Sequence, residues 1–163
     1  MRYKENGEWK RGTVFISEIV PKAAITFVAN TVYKEHYSTM PMKHSWSEND
    51  GTLKIAYDWK LKKEWQHLSV KASSTPREIP SGHFNEFITE HYWGYNKLSD
   101  KKTTEYEVRH PRWQDYEVLD YRINADFGKL YGLKFDFLSN TEPNNVLLAE
   151  GSAISVEGKK IIG

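Results

Sequence analysis

The sequence has 163 residues, the size of a single domain, and contains no cysteine. The lack of cysteine excludes disulfides and thiolate metal sites and is typical of a reducing compartment. Lysine and arginine number 23 against 22 aspartate and glutamate residues, so charge favours neither nucleic acid nor an anionic membrane surface as a partner.

Two further features bear on location. No apolar run approaches the roughly 20 residues that a membrane-spanning helix needs. Residues 1–9 lack the apolar core of a signal peptide. We therefore expect one cytoplasmic domain over residues 1–163, with no membrane partner.

Aromatic residues make up 14% of the chain, with six Trp, ten Tyr and seven Phe. Such side chains bring large apolar area together with polar tips that need hydrogen-bond partners. This composition suits a β-barrel or sandwich with a side-chain-lined interior, and it equally suits an ordinary β-rich core.

The first elements are a strand and a helix. Residues 12–20 are β-branched and largely apolar and predict a buried strand, which Pro21 ends because proline lacks a ladder donor. Proline also suits the start of a helix, which we predict over residues 22–34. Its apolar positions lie at helical spacing: Ala24, Phe27, Val28 and Val32.

A three-stranded meander follows. Residues 41–46 predict a strand, and Asp50-Gly51 is a dipeptide that hairpin turns prefer. The next strand alternates cleanly, with one face formed by Leu53, Ile55, Tyr57, Trp59 and Leu61. Residues 64–72 predict the third strand, and the serines and prolines of residues 73–80 predict a surface loop.

The second half begins with another helix. Ser81 is a suitable N-cap, and an apolar stripe at helical spacing predicts a helix over residues 82–93 that Gly94 ends. We expect a polar loop at 96–102. The remaining predicted elements are strands at 103–110 and 116–122, a short helix at 124–130, and strands at 133–137 and 146–156.

Several segments in this order resemble one family of bacterial proteins of unknown function with an acetoacetate-decarboxylase-like fold. The most specific is the helix-to-strand signature that runs from Phe87 through Glu90, His91 and Trp93 to Tyr95. The other matching segments are 11–16, 18–22, 40–42, 105–113 and 148–153. The resemblance covers nearly the whole chain.

The resemblance implies a mainly β (α+β) fold: an antiparallel β-barrel or partial barrel with two or three short helices and an interior cavity. Family members usually carry a longer segment before the position of Arg11, so this chain resembles an N-terminally truncated member. Missing strands would leave edges unpaired, which invites association. We therefore expect self-association, with residues 12–20 or 146–156 near the contact.

Lys22 is the candidate catalytic residue. In true acetoacetate decarboxylases a proline-lysine-lysine stretch carries the amine that forms a Schiff base with a β-keto acid. Pro21-Lys22 matches the start of that stretch, but Ala23 stands where the second lysine would lower the amine pKa. This departure favours an ordinary solvated lysine in the first turn of a helix.

The candidate ligand-binding residues gather around the family signature. They are Glu90, His91 and Trp93, with Tyr57, Trp59 and Arg109 as wall residues. Histidine beside a carboxylate suits proton transfer or ligand binding, although a packed core histidine and a structural ion pair explain the same residues. The six histidines show no metal-ligand spacing, and we expect no metal or cofactor.

Two function classes stay open. The first is binding of a small, partly apolar organic molecule in an aromatic-lined cavity. The second is a decarboxylase-like enzyme that acts on a small keto acid through a lysine Schiff base, which only the resemblance supports. Convergent ionisable groups in the cavity would favour an enzyme, and a purely apolar lining would favour binding.

Overall fold

The computed structural model describes residues 1–162 and is mainly β, as predicted. The strands are β1 (Arg2–Glu5), β2 (Glu8–Arg11), β3 (Glu18–Val20), β4 (Tyr37–Thr39), β5 (Met42–Asn49), β6 (Thr52–Leu61), β7 (Glu64–Glu78), β8 (Trp93–Ser99), β9 (Lys102–Arg109), β10 (Gln114–Asn124), β11 (Leu148–Ala149) and β12 (Ser155–Ile162). The helices are α1 (Ala23–Val28), which a π-helical segment continues over Ala29–Tyr33, α2 (Phe84–Thr89) and α3 (Phe127–Tyr131), followed by a 3₁₀ helix at Leu133–Asn140.

Two antiparallel sheets dominate the fold. One has five strands in the order β11-β10-β7-β6-β5, and the other has three strands in the order β12-β9-β8. A hairpin of β1 and β2 and a parallel pair of β3 and β4 complete the strand pairing. These sheets form no closed barrel within residues 1–162, so the predicted barrel stays a prediction.

The meander β5-β6-β7 confirms the prediction from alternation. Asp50 and Gly51 both adopt positive φ, 48° and 70°, as a tight hairpin turn with this dipeptide requires. On the predicted face of β6, Leu53, Ile55, Trp59 and Leu61 are buried as expected and Tyr57 is exposed, while Ala72 of β7 packs into the same core. The strand period of two places these side chains on one side of the sheet.

The helix predicted at 22–34 is present as α1 and its π-helical continuation, but its apolar stripe is divided. Phe27, Val28 and Val32 are all exposed, and of these three only Val28 lines a cavity. The helix predicted at 82–93 is confirmed only over α2. His83, rather than Ser81, caps it, since its Nδ1 accepts a hydrogen bond from the Asn85 amide at 3.2 Å.

Several predicted boundaries are wrong. Within 12–20 only β3 is a strand, while residues 73–78 of the loop predicted at 73–80 belong to β7, whose end pairs with β10. Within the loop predicted at 96–102, residues 96–99 continue β8, residues 100–101 form the hairpin turn and Lys102 begins β9. Residues 133–137 form the 3₁₀ helix rather than a strand, since a short apolar run does not distinguish the two.

A buried carboxylate joins the N-terminal hairpin to the three-stranded sheet. Glu105 of β9 is fully buried and accepts from the ammonium groups of Lys10 at 3.2 Å and Lys160 at 3.1 Å. The hydroxyl of Tyr95 donates to its other oxygen at 3.0 Å. Glu5 pairs with the same two lysines at 2.5 and 2.6 Å, so four strands besides β9 meet at this point.

We predict that Glu105→Gln lowers the free energy of unfolding by about 2 kcal/mol, because Lys10 and Lys160 lose the buried carboxylate that they share. Both lysines keep their contacts with Glu5 and with solvent, which limits the loss. Urea denaturation measures this. Glu107→Gln is the control on the same strand, since its partner Arg109 is exposed, and it changes stability little. Equal losses for the two variants would contradict the importance of the buried carboxylate.

Candidate functional site

A cavity of about 800 Å³ lies between helix α1 and the three-stranded sheet. One wall includes residues of α1, the π-helical segment, β3, β4 and the loop before β3. The other wall includes residues of β9 and β12 and the residue just before β12. The lining residues are Phe15, Glu18, Ala24, Ile25, Val28, Ala29, Tyr33, Glu35, Tyr37, Tyr106, Val108, Ile154 and Val156.

Most of the lining is apolar, for reasons visible in the sequence. Ala24 and Ala29 put small side chains on the cavity face of the helical segment, which leaves room beside the sheet. Val108 and Val156 are direct partners across the β9-β12 ladder, so both point to the same face. The result is a hydrophobic chamber with a helical wall on one side and a β-sheet wall on the other.

Two carboxyls and three phenols interrupt this apolar surface. Glu18 and Tyr37 are register partners in the parallel β3-β4 pair, so their side chains lie beside each other. Glu35 accepts a hydrogen bond from the Asn96 side-chain amide at 3.3 Å and lies near the hydroxyl of Tyr106. Each carboxyl therefore has a phenol beside it.

A close backbone contact positions Tyr106. Gly94 of β8 is its direct partner across the β8-β9 ladder, and a Cβ at Gly94 would lie 2.1 Å from the Tyr106 ring carbon Cζ. Only glycine therefore lets this ring lie over β8 and reach Glu35. Gly94, predicted to end a helix, instead makes space for a cavity residue.

Burial controls the protonation of the cluster. It raises the pKa of Glu18, the nearby charge of Glu35 raises it further, and the hydrogen bond from Tyr37 opposes both effects. Burial also raises the pKa values of Tyr37 and Tyr106, and their carboxyl partners add to the effect. Both phenols consequently keep their protons near neutral pH and act as hydrogen-bond donors.

No lysine, arginine or histidine is among the residues that line the cavity. The carboxyls of Glu18 and Glu35 therefore have no basic partner in its walls. Such a lining suits a ligand that supplies a hydrogen-bond donor or a positive charge, and it disfavours an anion.

Lys22, the predicted catalytic residue, lies at the N-cap of α1 and is exposed. It precedes the cavity helix but is not among the lining residues. No side chain caps the helix at this position. Its predicted catalytic role stays a prediction, and the geometry adds no partner for it.

Glu90, His91 and Trp93 lie together where α2 passes into β8. The Tyr92 hydroxyl donates a hydrogen bond to Glu90, which raises the pKa of Tyr92 to about 12. The other carboxyl oxygen of Glu90, Oε1, is buried and has no hydrogen-bond partner in residues 1–162. His91 Nδ1 donates to the Ile88 carbonyl at 2.9 Å. The Lys10 ammonium lies 3.8 Å from the centre of the Trp93 ring.

The predicted wall residues lie elsewhere. Tyr57 is 49% exposed and Trp59 is buried, both in the five-stranded sheet. Arg109 is exposed at the end of β9 and pairs with Glu107 at 2.9 Å and Glu157 at 3.2 Å. Neither these three residues nor Glu90, His91 and Trp93 line the 800 Å³ cavity, and their part in ligand binding stays a prediction.

The acidic cluster of the cavity was not predicted from the sequence. One signal was available: Glu18 is a lone carboxyl between apolar Ile16 and Ile19, within a segment predicted to be buried. A buried carboxyl needs a partner or a raised pKa, so it marks a candidate site. Glu35 gives no comparable signal, since it lies in a polar stretch between Lys34 and His36.

No group of three or more histidine, aspartate or glutamate side chains in residues 1–162 is placed to hold a metal ion. In the same residues, none of the helices has the length and apolar character needed to cross a bilayer.

Comparison with known proteins gives one match. The model of a family described as "Uncharacterized conserved protein", DUF2071, matches residues 2–153. No curated protein and no solved structure matches the sequence. The matched range includes all the residues that line the cavity except those in β12 and just before it.

We predict that Glu18→Gln raises the melting temperature at pH 7. Because the folded state binds the Glu18 proton more tightly than the unfolded chain does, wild-type stability falls as pH rises through the raised pKa. The gain should vanish below about pH 4, where the carboxyl is protonated in both states. Thermal melts across this range measure it.

Glu48→Gln, an exposed change at the end of β5, is the control and shows no such pH-dependent gain. A Glu18→Gln difference that stays constant with pH, or a wild type that is the more stable at pH 7, would contradict the assignment.

Proposed function

The chain belongs to DUF2071, a family of uncharacterized conserved proteins, and we propose that it binds a small organic molecule in the cavity beside α1. The observation that carries this proposal is a mainly apolar chamber with two carboxyls and three phenols in its wall. Ligand sites are typically of this kind: largely hydrophobic, with few polar groups that fix orientation.

The size of the cavity supports small-molecule binding. Its volume of about 800 Å³ falls within the range of roughly 300–1,000 Å³ that is usual for ligand pockets. The apolar residues, from Phe15 and Ile25 on one side to Val108 and Val156 on the other, offer contacts to a hydrocarbon or aromatic body.

The charge of the lining indicates the class of ligand. Glu18 and Glu35 accept hydrogen bonds and have no basic residue beside them in the cavity wall. An ammonium group would supply the missing positive charge, and burial would strengthen its hydrogen bonds to the carboxylates. We therefore favour a molecule with an apolar body and an amine head group.

The second candidate is a decarboxylase-like enzyme that acts on a keto acid through Lys22. Its support is the resemblance alone, and similarity of fold is weak support for activity. Keto acids are anionic near neutral pH and would meet Glu18 and Glu35 without a cation in the lining. Binding therefore remains the favoured function.

Calorimetric titration with heptylamine, heptanol and heptanoate tests the proposal. These probes share a chain length and differ in the head group. We expect heptylamine to bind roughly tenfold more tightly than heptanol, because a charge-assisted hydrogen bond contributes about 1.5 kcal/mol more, and heptanoate to bind weakest. Removing both carboxylates, with Glu18→Gln and Glu35→Gln, should abolish the preference for the amine.

Ala24→Trp fills the cavity from α1 and should abolish binding of all probes. Ala23→Trp is the matched control, since this neighbouring residue is exposed and does not line the cavity. If none of the probes binds the wild type, the binding function is wrong. If heptanol or heptanoate binds as tightly as heptylamine, the function stands and the amine class is wrong.

We also propose that the chain self-associates through β12. This strand lies at one edge of the three-stranded sheet, and its Ile161 is exposed. An edge strand with apolar side chains offers unpaired backbone groups and hydrophobic surface to a second copy.

Light scattering at micromolar concentration should give the mass of a dimer for the wild type and of a monomer for Ile161→Lys. Ile123→Lys, at an exposed position of β10, is the control and should remain dimeric. A monomeric wild type would refute self-association.

A further inference from the structure

One face of the five-stranded sheet carries polar side chains in three cross-strand rows, which we call the serine face. The ladder pairings define the rows: Ser45-Ala56-Ser69-Arg122, Ser47-Lys54-Lys71-Asp120 and Lys43-Asp58-His67-Asn124. Residues paired directly across a ladder point to the same side of the sheet. The opposite face holds the buried residues of β6, so the serine face is the outer side of this sheet.

Three of these side chains form a hydrogen-bonded chain. Asp58 Oδ1 lies 2.8 Å from Nδ1 of His67, and Nε2 of the same imidazole lies 2.9 Å from Oγ of Ser69. Strand geometry produces this order, since Asp58 and His67 are direct partners between β6 and β7 and Ser69 is two residues further along β7.

The order of contacts is that of an activated serine. A carboxylate on Nδ1 favours the tautomer with the proton on that nitrogen, which leaves Nε2 free to accept the proton of the serine hydroxyl. His67 and Asp58 have side-chain exposures of 28% and 35%, so a small substrate can reach them.

The surroundings provide space and positive charge. A cavity of about 570 Å³ covers this face, and His67 and Ser69 are among its lining residues. Ala56, the direct partner of Ser69 on β6, also lines this cavity, and its small side chain leaves room beside Ser69. Arg122 is the direct partner of Ser69 on the other side, and Lys54 and Lys71 also line the cavity, against one carboxylate, Asp120.

We propose that Ser69 is a nucleophile for hydrolysis of small carboxylic esters that carry an acidic group. Ser69 Oγ attacks the ester carbonyl while its proton passes to His67 Nε2. The carbon–oxygen bond to the alcohol then breaks, and the alcohol leaves with that proton. Water, deprotonated by the same imidazole, attacks the acyl-serine, releases the acid and returns the proton to Ser69.

The basic side chains of this cavity are the reason for proposing an anionic substrate. Arg122, the direct partner of Ser69 in its row, is the basic residue nearest in register to the nucleophile, and its positive charge would stabilise the oxygen that becomes negative during attack. Lys54 and Lys71, in the adjacent row, are placed to pair with an acidic group on the substrate. Asp58 touches no substrate in this scheme and is a positioning residue.

Labelling with a fluorophosphonate, followed by intact-mass measurement, tests the nucleophile. The serine oxygen forms a bond to phosphorus as the phosphorus–fluorine bond breaks, so one adduct per chain is expected. Ser69→Ala should abolish it, and Ser45→Ala, which removes a serine from the same cavity and the same row, should leave it unchanged. The melting temperature of each variant verifies that it is folded.

Asp58→Asn should slow labelling by about 100-fold or more, and Asp58→Glu, which keeps a carboxylate, should restore part of the rate. The 4-nitrophenyl monoester of succinic acid should be cleaved faster than 4-nitrophenyl acetate. The proposal is overturned if folded wild type forms no adduct, or if the adduct persists in Ser69→Ala. Either result would mean that the chain of hydrogen bonds only orders the strands. Equal cleavage of the two esters overturns the anionic class.

Discussion

The buried carboxylate of Glu105 is the interaction on which the arrangement of the smaller sheet depends. A charged group with no exposed surface is tolerated only when its oxygens have strong partners, and here Lys10, Lys160 and the Tyr95 hydroxyl supply them. Since these partners come from β2, β12 and β8, satisfying one carboxylate places three strands around β9. Glu5 then holds both lysines from β1.

The cavity follows from this arrangement. Once β8, β9 and β12 form a sheet, Val108 and Val156 present an apolar surface that the helical segment covers only in part. Ala24 and Ala29 are too small to fill the remaining space, so a chamber persists instead of a packed core. Gly94 lets Tyr106 reach Glu35 and so brings polar chemistry into that chamber.

The near-neutral net charge of +1 conceals two local environments of opposite sign. The chamber beside α1 has the carboxyls of Glu18 and Glu35 and no basic residue in its lining, whereas the serine face has three basic side chains and one acidic one in its cavity. Global charge balance excludes long-range steering toward polyanions, but it does not limit what a partly buried site recognises, because low-dielectric surroundings strengthen local charges.

Neighbouring residues in the sequence were enough to predict the local features: the mainly β class, the meander with its Asp50-Gly51 turn, and a helical segment directly after Pro21. Alternation, turn chemistry and helical spacing depend on neighbouring residues, so the sequence shows them directly. It failed at the short apolar run 133–137, whose pattern fits either a strand or the observed 3₁₀ helix.

Which functional groups meet depends on how distant parts of the chain pack together. Glu35 and Tyr106 are far apart in sequence and join because β9 packs against the segment that follows α1. Asp58 and His67 meet because the β6-β7 register pairs them, and a shift of one residue would turn His67 to the other face. Composition and periodicity show which face a residue occupies within its own element, but long-range register and sheet packing select its partners, since these depend on contacts between distant parts of the chain.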